Sequence, residues 1–116
     1  MIGHGSREKG FQASMEKVVS DFKKDRRFAG AVCAYLEIAK PSIEEAIRDC
    51  VKKGAAEIRL LPYFLLSGRH VNSHIPAITA EARKKYGSAV KIVLCPYLGY
   101  DAKIAAVAKK RACQGE

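Results

Sequence analysis

Short apolar runs alternate with amphipathic stretches along this chain, and that alternation restricts the fold more tightly than any other feature. Phe11, Met15, Val18, Val19 and Phe22 recur at spacings of three and four, which predicts a helix over residues 8–26 with one apolar face. Ala31-Val32-Cys33-Ala34-Tyr35-Leu36 then reads as a strand ended by Glu37. A second helix is expected from Pro41-Ser42, with the proline in its first turn. Its stripe is Ile43, Ala46, Ile47, Cys50 and Val51, and Gly54 is its stop. Glu57–Phe64 reads as a strand, Leu65–Asn72 as a loop and Ile75–Tyr86 as a helix with Ile75, Ile78 and Ala82 inward. Val90–Cys95 is the next strand, and Ile104, Val107 and Ala108 mark a last helix over Tyr100–Ala112. Strands joined by helices imply right-handed crossovers and a parallel sheet. The expected class is α/β and flavodoxin-like, with three full strands, four helices and helices on both faces.

One strand is short of this pattern. The stretch Gly3-His4-Gly5-Ser6-Arg7 leads into the first helix, yet only Met1 and Ile2 precede it. In a sheet of order 2-1-3-4 the first strand is internal, so its loss leaves two inner edges unpaired. The expectation is a truncated first strand, with the missing residues upstream of Met1 in a longer natural chain. The 116 residues are otherwise enough for one domain, residues 1–116, around one core.

Two histidines stand at strand ends. His4 lies between glycines, which let a flat molecule approach the backbone. His70 follows Pro62-Tyr63-Phe64-Leu65-Leu66-Ser67-Gly68-Arg69. On one parallel sheet, such positions share the carboxyl edge, where binding sites concentrate, and Glu37 falls on that edge too. Two imidazoles and a carboxylate suit a borderline divalent metal such as cobalt, iron, nickel or zinc. His74 lies four residues beyond His70, one turn away if that segment is helical. The H-E-x-x-H pattern is absent, so His74 reads as a surface or supporting histidine. Taken alone, the Gly-His-Gly-Ser stretch would equally serve a phosphate at a helix N-terminus, although no G-x-G-x-x-G or P-loop pattern is present.

The charge balance bears on the partner. Twenty-one Lys and Arg against 12 Asp and Glu give a net charge of +9, which favours an anionic ligand. The basic residues are spread through helices, as in Lys23-Lys24-Asp25-Arg26-Arg27 and Lys109-Lys110-Arg111, and most read as solvated faces. No aromatics interleave with them, so a nucleic-acid partner is not expected. No apolar run reaches the roughly 18 residues of a membrane span, and no secretory pattern opens the chain, so the expected compartment is the cytoplasm. Cys33, Cys50, Cys95 and Cys113 form no C-x-x-C pair and read as free thiols.

Three stretches in order, Gly3-His4-Gly5-Ser6-Arg7, Glu37-Ile38-Ala39-Lys40-Pro41-Ser42-Ile43 and Leu61–Val71, together with Ile75-Pro76, resemble the short, single-domain sirohydrochlorin chelatases of the CbiX type. The resemblance covers essentially the whole chain. It implies a chelatase-like flavodoxin-type fold and insertion of cobalt, iron or nickel into sirohydrochlorin, for cobalamin, siroheme or nickel-cofactor synthesis. It implies that His4 is proton acceptor and metal ligand, His70 the second metal histidine and Glu37 the acidic residue of the pocket. Leu65, Leu66, Ser67, Gly68, Arg69 and His70 would line the tetrapyrrole, with Ser6 and His74 in support. The metal would be a substrate, with no permanently bound cofactor, and the working unit a homodimer. The family usually carries an aspartate where this chain has His74. Arg7 and Arg69 are the candidates for pairing with the substrate's carboxylates, because guanidinium binds them bidentately. A non-catalytic tetrapyrrole or metal carrier and a phosphate-binding module are the competing readings.

Overall fold

A computed structural model describes residues 1–115 of the chain. The elements run β1 (Ile2–Gly3), α1 (Lys9–Lys23), β2 (Ala34–Tyr35), α2 (Ile43–Lys52), β3 (Glu57–Leu60), a π-helical turn (His70–His74), α3 (Ile75–Tyr86), β4 (Lys91–Leu94) and α4 (Ala102–Ala112). β1 pairs with β2 and β3 with β4, both in parallel. A parallel bridge between Ile2 and Pro62 joins the two pairs, so the spatial order is 2-1-3-4.

The first strand is two residues long, and contrary to the expectation that a strand this short leaves the inner edges unpaired, two residues suffice to pair on both sides. The Ile2 amide donates to Leu61 and the Ile2 carbonyl accepts from Tyr63, both at 2.8 Å, on one side. On the other, Ala34 donates to Met1 at 2.9 Å and Leu36 to Gly3 at 3.0 Å. Both inner edges are closed where His4 leaves the sheet. The predicted strands contract to match. Only Ala34 and Tyr35 of residues 31–36 are strand, because that is where β1 runs alongside. Cys33 and Cys95, expected inside strands, flank β2 and β4 instead.

The pleat sends alternate residues to opposite faces. Ile2 and Ala34 join Ile58, Leu60 and Ile92 beneath α2 and α3, which contribute Ile43, Ala46, Ile47, Ile75 and Ala82. Gly3 and Tyr35 face α1, where Met15, Val19 and Cys33 form a smaller cluster. Burial pushes the Tyr35 phenol up to about 12 and raises the Cys33 thiol, so both stay neutral. On β3 the alternation Glu57-Ile58-Arg59-Leu60 buries the two apolar residues and leaves the charged pair exposed. Glu57 binds Arg59 at 2.5 Å and lies 3.9 Å from Lys91.

α2 is the best-specified helix. Ser42 is its N-cap and makes a reciprocal capping box with Glu45, both bonds at 3.1 Å. Pro41 thus precedes the cap and does not enter the first turn; the proline at a helix start is Pro76, in α3. α2 ends in a Schellman arrangement, with Gly54 at φ 84° donating to Val51 and Ala55 donating to Cys50. α4 is its opposite: Asp101 caps it, but none of its residues is buried. No helix of the described residues is long and apolar enough to cross a membrane.

Candidate metal and tetrapyrrole site

Three adjacent parallel strands deliver the predicted residues to one edge. His4 follows β1, Glu37 lies just beyond β2, and His70 opens the π-helical turn after β3. Backbone pairing continues past the short strands, with the Glu37 amide donating to the His4 carbonyl at 3.1 Å. The side chains meet: His4 Nε2 is 3.0 Å from Glu37 Oε1. The His4 and His70 rings pack edge to face, with centroids 5.1 Å apart. His70 Nδ1 in turn lies 3.2 Å from His74 Nδ1. The side chains of His4 and Glu37 are 41% and 57% exposed, so the site is open to a ligand.

The loop that presents Glu37 has an unusual backbone. Gly5 sits at φ 102°, and a Cβ there would run into the Glu37 carbonyl. Only glycine allows the two loops to approach this closely. The same carbonyl accepts from the Ala39 amide at 2.7 Å, closing a three-residue turn with Ile38 at φ 70°. A β-branched residue rarely adopts that conformation, and it costs on the order of 1–3 kcal/mol. The strain sits beside the carboxylate that meets His4. Nothing in the sequence signals it, because isoleucine ordinarily marks a strand.

The His4–Glu37 contact is at hydrogen-bond distance. His4 Nδ1 is 3.1 Å from the Gly5 carbonyl, which can only accept. That nitrogen therefore carries a hydrogen. The other nitrogen faces a carboxyl oxygen at 3.0 Å, and two bare acceptors repel at that distance. A hydrogen bond here needs a proton on one of the two atoms. A metal ion taking both groups as ligands would displace it. Among the described residues, no three His, Cys, Asp or Glu side chains are already arranged as a metal cage.

The remaining predicted residues fall into two groups. Arg7 and Arg69 are exposed, and neither is in an ion pair among the described residues. Leu65, Leu66, Ser67 and Gly68 are exposed on the loop before His70, with Leu66 at 81%. Ser6 acts locally, since its hydroxyl accepts from the Glu8 amide at 3.0 Å and shapes the entry to α1. Other basic residues pair nearby, as in Arg27 with Asp25, whose carboxyl its hydrogen bonds pull down to about 2, and Lys84 with Glu81.

Two neighbours of the site carry no signal in the sequence. Phe64 lies 6.3 Å from the His70 ring, centroid to centroid. Tyr100, 89% exposed, joins Leu65, Leu66 and Ile104 around an apolar hollow of about 270 Å³. The Phe64 carbonyl accepts from the Leu98 amide at 3.1 Å, which holds this segment against the His70 loop.

The CbiX family model matches residues 1–115. The chain belongs to the CbiX family. Among CbiX relatives, it is 33% identical over 96 residues to the chloroplastic sirohydrochlorin ferrochelatase of Arabidopsis thaliana, covering 83% of this chain and 43% of that one. It is 29% identical over 112 residues to the sirohydrochlorin cobaltochelatase of Sulfolobus acidocaldarius, covering 97% and 86%. The sirohydrochlorin chelatase SirB of Bacillus subtilis subspecies spizizenii, solved in complex with cobalt, superposes with a TM-score of 0.84 at 29% identity. That match covers 97% of this chain and 48% of SirB. This CbiX chain thus spans less than half the length of its plant and Bacillus relatives.

Proposed function

We propose that this protein inserts a divalent metal ion, cobalt, iron or nickel, into sirohydrochlorin. The observation that carries the reading is the meeting of His4, Glu37 and His70 on one open sheet edge: 3.0 Å between His4 and Glu37, and 5.1 Å between the two imidazole rings. The names of the Arabidopsis, Sulfolobus and Bacillus relatives support the substrate class.

Metal insertion needs a desolvated cation delivered to the ring and two pyrrole protons taken away. His4 and His70 bind the incoming ion through ring nitrogens, with Glu37 as the anionic third group. The ion takes the place of the hydrogen bond between His4 and Glu37. As the pyrrole nitrogens take over the metal, the Nε2 lone pair of His4 is released; it accepts the two pyrrole protons in turn and passes each to Glu37, whose carboxyl opens to solvent. The macrocycle lies over Leu65, Leu66 and the glycine-flanked backbone, and its carboxylates meet Arg7 and Arg69. The net charge of +9 draws in such a polyanion. No resident cofactor takes part; the metal is a substrate. The working unit is a homodimer, a reading supported by the apolar side chains exposed around Leu66 and Tyr100, and the proposed compartment is the cytoplasm.

The test is anaerobic incubation with sirohydrochlorin and cobalt, iron or nickel ions, following the tetrapyrrole absorbance. Turnover above the uncatalysed rate with at least one metal is the expected result. Tight binding of the tetrapyrrole without turnover would make the protein a carrier instead.

A further inference from the structure

His74 is unassigned by the mechanism above, yet its ring nitrogen lies within hydrogen-bond distance of His70. The two Nδ1 atoms are 3.2 Å apart and the rings 5.5 Å. Both belong to the π-helical turn His70–His74, in which the Ile75 amide donates to the His70 carbonyl. The turn is anchored by the fully buried Ile75 and by the Asn72 amide donating to Gly68 at 2.8 Å. His70 is thereby held on three sides, by His4, Phe64 and His74.

A hydrogen bond between two imidazole nitrogens needs one N–H and one bare lone pair. With both rings neutral, a single proton on the His70–His74 line has two possible positions. On His74, it leaves His70 with its remaining hydrogen on Nε2, so His70 presents a donor and can neither ligate a metal nor accept a proton there. On His70, it leaves His70 Nε2 bare and puts the His74 hydrogen on that ring's own Nε2. Only the second arrangement gives His70 a usable lone pair, and a partner that accepts from Nδ1–H is the general device for orienting a ligating histidine.

We propose that His74 is a positioning residue: by accepting a hydrogen bond from His70 Nδ1–H, it holds His70 in the tautomer whose Nε2 is free for the metal. The inference rests on the proposed role of His70, and it deepens that role. An acceptor is all the position requires, so a carboxylate or amide oxygen can replace the imidazole. The His74 side chain needs no contact with metal or tetrapyrrole.

The direct test is the tautomer itself, read from imidazole nitrogen shifts and two-bond couplings by NMR on the metal-free protein at about pH 8, above the ordinary histidine range. The wild type is expected to show His70 with hydrogen on Nδ1. His74→Leu, at an exposed position and with an unchanged circular dichroism spectrum expected, should move that hydrogen to Nε2. His74→Asp and His74→Asn are expected to restore Nδ1–H. Cobalt affinity and turnover should fall about 10- to 100-fold in His74→Leu and recover in His74→Asp. A wild-type His70 with hydrogen on Nε2, or a His74→Leu variant that keeps Nδ1–H, would overturn the proposal. A tautomer that shifts as expected while turnover stays at the wild-type level would uphold the positioning and overturn the part given to His70 in metal insertion.

Discussion

The half of the molecule built from α2, β3, β4 and α3 and the edge that carries His4, Glu37 and His70 are made on opposite principles. In the first, local rules and packing agree. Ser42 and Glu45 cap α2 in both directions, Gly54 closes it, and Ile43, Ile47, Ile58, Ile75 and Ile92 are buried together. At the edge, local rules are broken: Ile38 sits at φ 70°, Gly5 is pressed against the Glu37 carbonyl, and His70 begins a π-helical turn. Its polar side chains are partly exposed and satisfied mainly by one another. Consistency across levels is what makes a chain fold, and departures from it gather where a protein works. Stability and chemistry are thus separable in this molecule, and substitutions should affect one or the other according to the half they touch.

The largest stability effect should come from the consistent half. Ile47 is 2% exposed, and Ile47→Ala should cost roughly 2–5 kcal/mol in denaturant unfolding, through lost burial and the cavity left behind. Turnover per folded molecule should not change. If the folded fraction also lost its chelatase rate, the two halves would be coupled and the separation wrong. Gly5→Ala is the next test, since it strikes the point where the loops touch. The added Cβ and the unfavourable φ should lower stability by about 1–3 kcal/mol and, by pushing the Glu37 loop away from His4, reduce turnover as well. A Gly5→Ala protein with unchanged turnover would show that the His4–Glu37 contact is dispensable. Ser42→Ala should have the smallest effect, about 1 kcal/mol from the lost cap, with no change in rate.

The same contrast explains what can be read in the sequence. The stripes Ile43-Ala46-Ile47 and Ile75-Ile78-Ala82 repeat at helical spacing because one helix face is buried, so their helices lie where the pattern predicts. The parallel order follows from alternating elements, and strand-end histidines on one sheet must share an edge. That reasoning alone brings His4, Glu37 and His70 together. Length alone misjudges the first strand: Ile2 is bonded on both sides, and two residues in the middle of a sheet are held by neighbours that a sequence pattern does not display. The Ile38 turn, the 3.0 Å contact of His4 with Glu37 and the Nδ1–Nδ1 contact of His70 with His74 depend on distances between loops far apart in sequence, or on a π-helical turn that periodicity does not signal. Tyr100 is hidden for a similar reason: only the Leu98–Phe64 backbone bond brings it beside Leu65.

The central claim is that the imidazoles on this edge carry out metal insertion. It is tested most directly by the anaerobic sirohydrochlorin assay on His4→Ala and His70→Ala beside the wild type, with thermal unfolding measured on the same samples. General acid–base groups contribute roughly 10²–10⁴-fold, so His4→Ala should lose turnover on that scale while its unfolding temperature stays close to the wild-type value, and His70→Ala should lose most of its rate too. A stable His4→Ala protein that turns over sirohydrochlorin at the wild-type rate would contradict the account.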